Sequence, residues 1–270
     1  MITNEQTIVA LIHEYQSLNL TAFIDYDKFN QYAIVHHSAT IEGSTLTDTE
    51  TRLLLDEGVT PKGKPLLHSL MVKDHYDALR YTLDEAEKKS SVTTQLIQQI
   101  NAVVMKNTGS VYQTVFGEID SAKGLFRKGN VSAGSSYFVN FDKVPKLVDQ
   151  LSQKITESMS TSLTEIEQFN LSFDAHFDFL TIHPFYDGNG RTSRLLMNLI
   201  QRYFQLPLAI VFKEDKAAYY EALVKTRKQE EIAIFREFMY QQLEKLLTEE
   251  ILKYKKMNTK NSGSGFSMVF

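Results

Sequence analysis

Residues 183–194 read H-P-F-Y-D-G-N-G-R-T-S-R and run straight into L-L-M-N-L-I at 195–200. Leu195, Leu196, Leu199 and Ile200 recur at the spacing of one helix face, so a helix begins near Arg191. Gly188 and Gly190 flank Asn189, which lets the backbone turn sharply and approach a ligand without Cβ hindrance. A glycine turn at a helix N-terminus gathers unpaired N–H groups and the positive end of the dipole, and so forms an anion site. Arg191 and Arg194 lie three apart on the first turn, where both guanidinium groups can point to one side. Two planar forks beside an anion hole suit a di- or triphosphate better than a single carboxylate. Asp187 would repel such a ligand on its own, which requires a hard cation between them. Mg²⁺ fits, because it takes one or two carboxylates together with phosphate oxygens. His183 precedes Pro184, so it belongs to a loop end rather than to a helix. An imidazole near its ordinary pKa is a natural general base for an incoming hydroxyl.

Working outward, Thr164-x-x-Glu167 reads as a capping box. It opens a helix with Ile166, Phe169, Phe173, Phe177 and Leu180 on one face, and that helix feeds into His183. Residues 4–41 hold two helical patterns split near 19–22, residues 47–55 a short helix, and 58–65 a loop. Two more helices follow over 66–107, with a weak break at Ser90-Ser91. Beyond Pro207 an apolar run, Leu208 to Phe212, is followed by helices to about Lys256. Turn signals at Gly129-Asn130 and Ala133-Gly134 between short β-like runs predict a hairpin. Ser38 and Glu42 are four apart and share a helix face, and Gly43 can end that helix in the left-handed conformation. The expectation is an all-α fold with one small hairpin.

Composition bounds the function. The chain of 270 residues is 43% hydrophobic and 23% charged, as for a globular protein with a sizeable core. A net charge of −4 gives no support for nucleic acid as the main partner. The lysines near the end are explained by a solvated helix terminus. There are no cysteines, which excludes disulfides, thiolate metal sites and cysteine nucleophiles. The start, M-I-T-N-E-Q-T-I, has neither a basic nor a continuous apolar region, so no signal peptide is expected. No apolar run approaches the roughly 20 residues of a membrane span. The expected setting is cytoplasmic, with no membrane partner. His176 and His183 are seven apart, but no third ligand stands at metal spacing. His36-His37 reads as a helix-surface pair or a packing element.

Residues 183–194 match, at every defining position, the motif H-P-F-x-(D/E)-G-N-G-R-x-x-R of the Fic family, whose members mostly move AMP from ATP onto a protein hydroxyl. The resemblance covers roughly residues 30–245 and implies a Fic-type helical bundle with a small β-hairpin flap over the active site. On this resemblance His183 is the base for a target Ser, Thr or Tyr, and Phe185 anchors the loop. Asp187 holds Mg²⁺, Gly188, Asn189 and Gly190 form the phosphate turn, and Arg191 and Arg194 bind the β- and γ-phosphates. Ser38 to Gly43 resembles the inhibitory motif (S/T)-x-x-x-E-(G/N), in which Glu42 pairs with Arg194. Its place ahead of the catalytic stretch is the arrangement called class II. The stretch from Gly124 to Leu151 resembles the segment that carries the flap, implying a target chain held near residues 129–140. Tyr219, Tyr220 and Asn198 are candidates for the adenine pocket, with core packing as the other reading for the tyrosines. The implied division is 1–60 for N-terminal helices with an inhibitory helix at about 30–43, 61–250 for the catalytic domain, and 251–270 for a helix end and flexible tail. ATP and Mg²⁺ are the implied substrate and cofactor. Self-modification, a homo-oligomer, another nucleotide donor, AMP removal, and a nucleotide-binding regulatory role with little transfer all stay open.

Overall fold

The computed structural model describes residues 5–20, 25–133 and 136–261. Its helices are α1 (Glu5–Ser17), α2 (Tyr26–Ile41), α3 (Asp48–Glu57), α4 (Leu66–Glu87) and α5 (Thr94–Val104). Two hairpins follow, β1 (Val111–Thr114) with β2 (Gly117–Asp120), and β3 (Ser132–Ala133) with β4 (Ser136–Tyr137). The chain closes with α6 (Val144–Met159), α7 (Glu165–Ile182), α8 (Asn189–Tyr203), α9 (Lys216–Gln229) and α10 (Ile232–Asn261). No helix among the described residues is long and apolar enough to cross a membrane.

Local chemistry sets the boundaries. Thr47 with Glu50 and Thr164 with Glu167 form reciprocal capping boxes that open α3 and α7. Gly58 closes α3 at φ 71°. Pro145 sits in the first turn of α6, where its missing N–H costs nothing. The second hairpin, β1–β2, goes beyond the expected single one. Its signal is the β-prone run Val111-Tyr112-Gln113-Thr114, with Gly117 at φ 96° supplying the turn. The turn of the expected flap, Gly134-Ser135, lies outside the described residues, as does the tail with Phe266, Met268, Val269 and Phe270. Helix α10 is described to Asn261, past the expected end near Lys256.

Helix α8 is the axis of the molecule. Every residue from Arg191 to Gln201 is buried, although the helix is far from uniformly apolar. It is enclosed because each side meets a partner. Leu195, Leu196, Leu199 and Ile200 join a core built with α2, α4, α5, α6 and α7. Met197 joins a second core with Ile8 and Ile12 of α1, Phe169 and Phe173 of α7, Tyr219 of α9 and Leu243 and Leu247 of α10. The buried amides Asn198 and Gln201 are satisfied internally, as burial demands. Asn198 Nδ2 donates to Ala209 O at 3.1 Å, and Gln201 Oε1 accepts from Ala209 N at 2.8 Å. Gln201 Nε2 in turn donates to Ser172 Oγ at 3.1 Å. These bonds fix α8 against α7 and the 208–212 segment, and so fix whatever its N-terminus carries.

Candidate active site

Helix α7 ends at His183, its C-cap in the left-handed conformation at φ 51°, with its N–H bonded to Phe179 O at 2.9 Å. The loop that follows is closed by Asn189. Its Oδ1 accepts from Phe185 N at 3.0 Å and its Nδ2 donates to Phe185 O at 2.8 Å. Phe185 is buried against Phe126 and Phe179. Asn189 therefore shapes the turn with its side chain rather than facing a ligand with it. Gly188 at φ 77° is the N-cap of α8, and a Cβ there would come within 2.8 Å of Asn101 Nδ2 and Met105 Sδ. The bond from Thr192 N to Gly188 O, at 2.9 Å, opens the helical ladder. The amides of Asn189, Gly190 and Arg191 precede that bond and lack helical acceptors, as an anion site requires.

Arg127 buttresses the loop from the other side, a role the sequence reading did not assign. It is buried, and its Nε donates to His183 O at 2.8 Å, its Nη1 to Gly129 O at 2.9 Å and its Nη2 to Val139 O at 2.5 Å. One guanidinium thus ties the loop after α7 to both ends of the β3–β4 hairpin. Its signal was an arginine set directly behind Leu125 and Phe126, where a lone charge needs carbonyl partners if it is buried. Tyr186, to which no role was assigned, stacks on Tyr112 of β1 with centroids 4.5 Å apart and joins the additional hairpin to the loop.

The expectation of an imidazole near its ordinary pKa is overturned. Burial, and after it the cations Arg127 and Arg227, push His183 down to about 4. The ring is therefore neutral throughout the physiological range, which is the form that accepts a proton. Asp187 keeps an exposed carboxylate, oriented by the Gly188 N–H to Oδ1 at 2.6 Å and lying 4.0 Å from Arg191 Nη2. Arg191 is buried, with Nη1 donating to Val104 O at 3.2 Å and Nη2 to Met105 Sδ at 3.1 Å.

Arg194 has two of its three guanidinium nitrogens held by α2 and the C-cap Glu42, while the third, Nη1, is buried without a partner among the described residues. Its Nε donates to Ser38 Oγ at 2.8 Å, and its Nη2 donates to Glu42 Oε1 at 2.6 Å and to Ser38 O at 3.2 Å. Burial alone would push the Glu42 carboxyl up, but the Arg194 guanidinium holds it below the usual range. The carboxylate fits because position 190 has no side chain. A Cβ on Gly190 would lie 2.2 Å from Glu42 Oε1. Of the adenine-pocket candidates, Asn198 is spent on Ala209 and Gln201, and Tyr219 is buried with its hydroxyl 2.7 Å from His176 Nε2. Tyr220, 43% exposed and tilted against Tyr219, remains at the surface of this region. His176 is a core histidine, and His37 is a packing element whose Nδ1 accepts from Lys213 N at 3.2 Å.

Comparison with known proteins agrees with this geometry. The family model described as Fic/DOC matches residues 91–201. The protein adenylyltransferase Fic of Drosophila persimilis is 28% identical over 223 residues, covering 82% of this chain and 40% of that protein. The chain thus spans about two fifths of the length of this curated relative. Among solved structures, a Fic domain-containing signaling protein from Bacteroides thetaiotaomicron shares the fold with a TM-score of 0.78 at 24% identity, covering 92% of this chain and 98% of that one. Residues 134–508 of Fic-1 from C. elegans superpose with a TM-score of 0.73 at 22% identity, covering 96% of this chain and 73% of that one. With its motif carried on the shared fold, and with the protein adenylyltransferase Fic of Drosophila melanogaster 30% identical over 190 residues, 70% of this chain, the chain belongs to the Fic/DOC family.

Proposed function

We propose that the chain is a protein adenylyltransferase that moves AMP from ATP to a Ser, Thr or Tyr hydroxyl and is restrained by Glu42. The observation that carries this reading is the loop from His183 to Arg194. It sets a neutral imidazole at the end of one helix beside the open amides and arginines at the start of the next. In the proposed reaction the target oxygen attacks the α-phosphorus, His183 accepts the hydroxyl proton, and pyrophosphate leaves as the P–O bond to it breaks. The amides of the α8 N-terminus and the two arginines stabilise the phosphate charge, so catalysis is largely positioning and electrostatics. Curated relatives named protein adenylyltransferase Fic support ATP as the donor.

Mg²⁺ fits the residues present. Among the described residues no group of three or more His, Asp or Glu side chains is gathered for a metal. A single exposed carboxylate such as Asp187 suits an ion shared with phosphate oxygens. When bound, the ion would neutralise charge developing on the phosphates. Asp187→Ala is expected to weaken the Mg²⁺ dependence of transfer at least as much as the ~10- to 100-fold typical of lost outer-shell partners. A Mg²⁺ titration of transfer checks this, and an unchanged curve with full activity would place the cation elsewhere.

A regulatory reading with little basal transfer is favoured by one observation, the occupation of Arg194 Nε and Nη2 by Ser38 and Glu42. We treat it as the restrained state of the same enzyme, with residues 1–60 as the restraining segment and the β3–β4 hairpin as the holder of the target. Intact-protein mass after incubation with ATP and Mg²⁺ separates the readings. A gain of one AMP unit in Glu42→Gly, lost when His183→Ala is added, supports the enzyme. No gain in either variant, with folding confirmed and a target present, supports the binding protein.

A further inference from the structure

The β3–β4 hairpin does more than border the site, because it delivers an aromatic ring onto the base. Phe138 follows Tyr137, the last residue of β4, which pairs with Ser132, and its N–H reaches Val131 O at 3.4 Å. The hairpin register therefore sets where the Phe138 ring falls. It falls on His183, with centroids 3.9 Å apart and planes inclined by 14°. From α9, the Arg227 guanidinium stands 5.5 Å from the Phe138 ring centre and 6.0 Å from that of Phe177, and donates to Leu180 O at 3.2 Å. The hairpin, α7 and α9 thus converge on one imidazole.

A parallel stack covers a face of the imidazole and leaves the ring edge uncovered. On that edge Nδ1 is buried without a hydrogen-bond partner among the described residues, so Nε2 is the nitrogen that would meet a hydroxyl. The stack also removes water from that face, which disfavours the charged ring. The charged groups around it are Arg127 from the loop before the hairpin, Arg227 from α9, and Glu42 at the C-cap of α2. The two cations oppose protonation and the carboxylate favours it.

We propose that Phe138, backed by Arg227, is a positioning residue that holds the His183 imidazole edge-on to the incoming hydroxyl and keeps it unprotonated. The orientation half rests on the reading of His183 as the base, whereas the protonation half stands without it. The depressed pKa of His183, about 4, agrees with this arrangement.

The test is an NMR titration of the His183 ring in the full-length, ATP-free protein, assigned by its loss in His183→Gln. Phe138→Ala is expected to move the midpoint at least one unit toward the ordinary value of about 6.5, and Phe138→Tyr to keep the wild-type midpoint. In the Glu42→Gly background, the acid limb of kcat/KM should follow the same shift in Phe138→Ala. There kcat should fall at least tenfold with KM for ATP unchanged, and Phe138→Tyr should restore both. If Phe138→Ala fails to fold by circular dichroism, Phe138→Leu, which stays apolar but offers no planar face, carries the same comparison. An unmoved midpoint in a folded variant overturns the proposal, as does a moved midpoint with unaltered kcat. If every background is inert with ATP, the transfer reading fails and the titration alone decides the protonation half.

Discussion

Glu42→Gly is expected to raise AMP transfer about 10- to 150-fold, the range given by a charged hydrogen bond worth roughly 1.5–3 kcal/mol. The argument is one of competition. Arg194 has one carboxylate at 2.6 Å and two contacts with Ser38, all from α2 and its C-cap. A γ-phosphate that needs Arg194 must displace Glu42. Removing the carboxylate leaves a buried guanidinium without its counter-charge, so the free variant should melt at a lower temperature than the wild type. ATP supplies the missing negative charge and should recover part of the loss. Transfer rates from intact mass and melting curves with and without ATP check both halves. Equal transfer in a folded variant would remove Glu42 from control.

His183→Ala in the Glu42→Gly background should reduce transfer by roughly 10²- to 10⁴-fold, the usual worth of a positioned base. ATP affinity should persist, because the phosphate groups are met by α8 and its arginines rather than by the imidazole. Isothermal titration with a non-hydrolysable ATP analogue, run beside the transfer assay, separates the two effects. Unchanged transfer would take the histidine out of the chemistry. Loss of binding along with transfer would mean that the substitution had disturbed the loop closed by Asn189.

Much of this architecture was legible because local signals agree with one another. Thr47 and Thr164 cap the helices they were expected to open, and the helix ending at His183 and the one starting at Gly188 fall where Pro184 and the glycines put them. The pairing of Glu42 with Arg194 was reachable only through resemblance, since the two residues are separated by 152 positions and nothing local links them. What was not legible depends on packing. No spacing rule reveals that Arg127 would be buried among four carbonyl groups, or that Phe138 would lie flat on the histidine. The same holds for the proton affinity of His183, which is lowered first by burial and then by Arg127 and Arg227, none of it visible in local spacing. Asn198 shows the converse. Its position one turn beyond Arg194 suggested a ligand contact, yet the enclosure of α8 commits its amide to Ala209.

That enclosure gives the two halves of the Arg194–Glu42 contact different clocks. A helix buried on every side exposes its amides to deuterium only when the whole molecule opens, whereas a helix docked along one side can detach by itself. The amides of α8 are therefore expected to exchange at the global unfolding rate. Those of α2 around Ser38–Glu42 should exchange faster, and faster still in Glu42→Gly. Mass-resolved hydrogen exchange reads the two populations separately, and equal rates in both helices would mean that restraint and receptor open as one body.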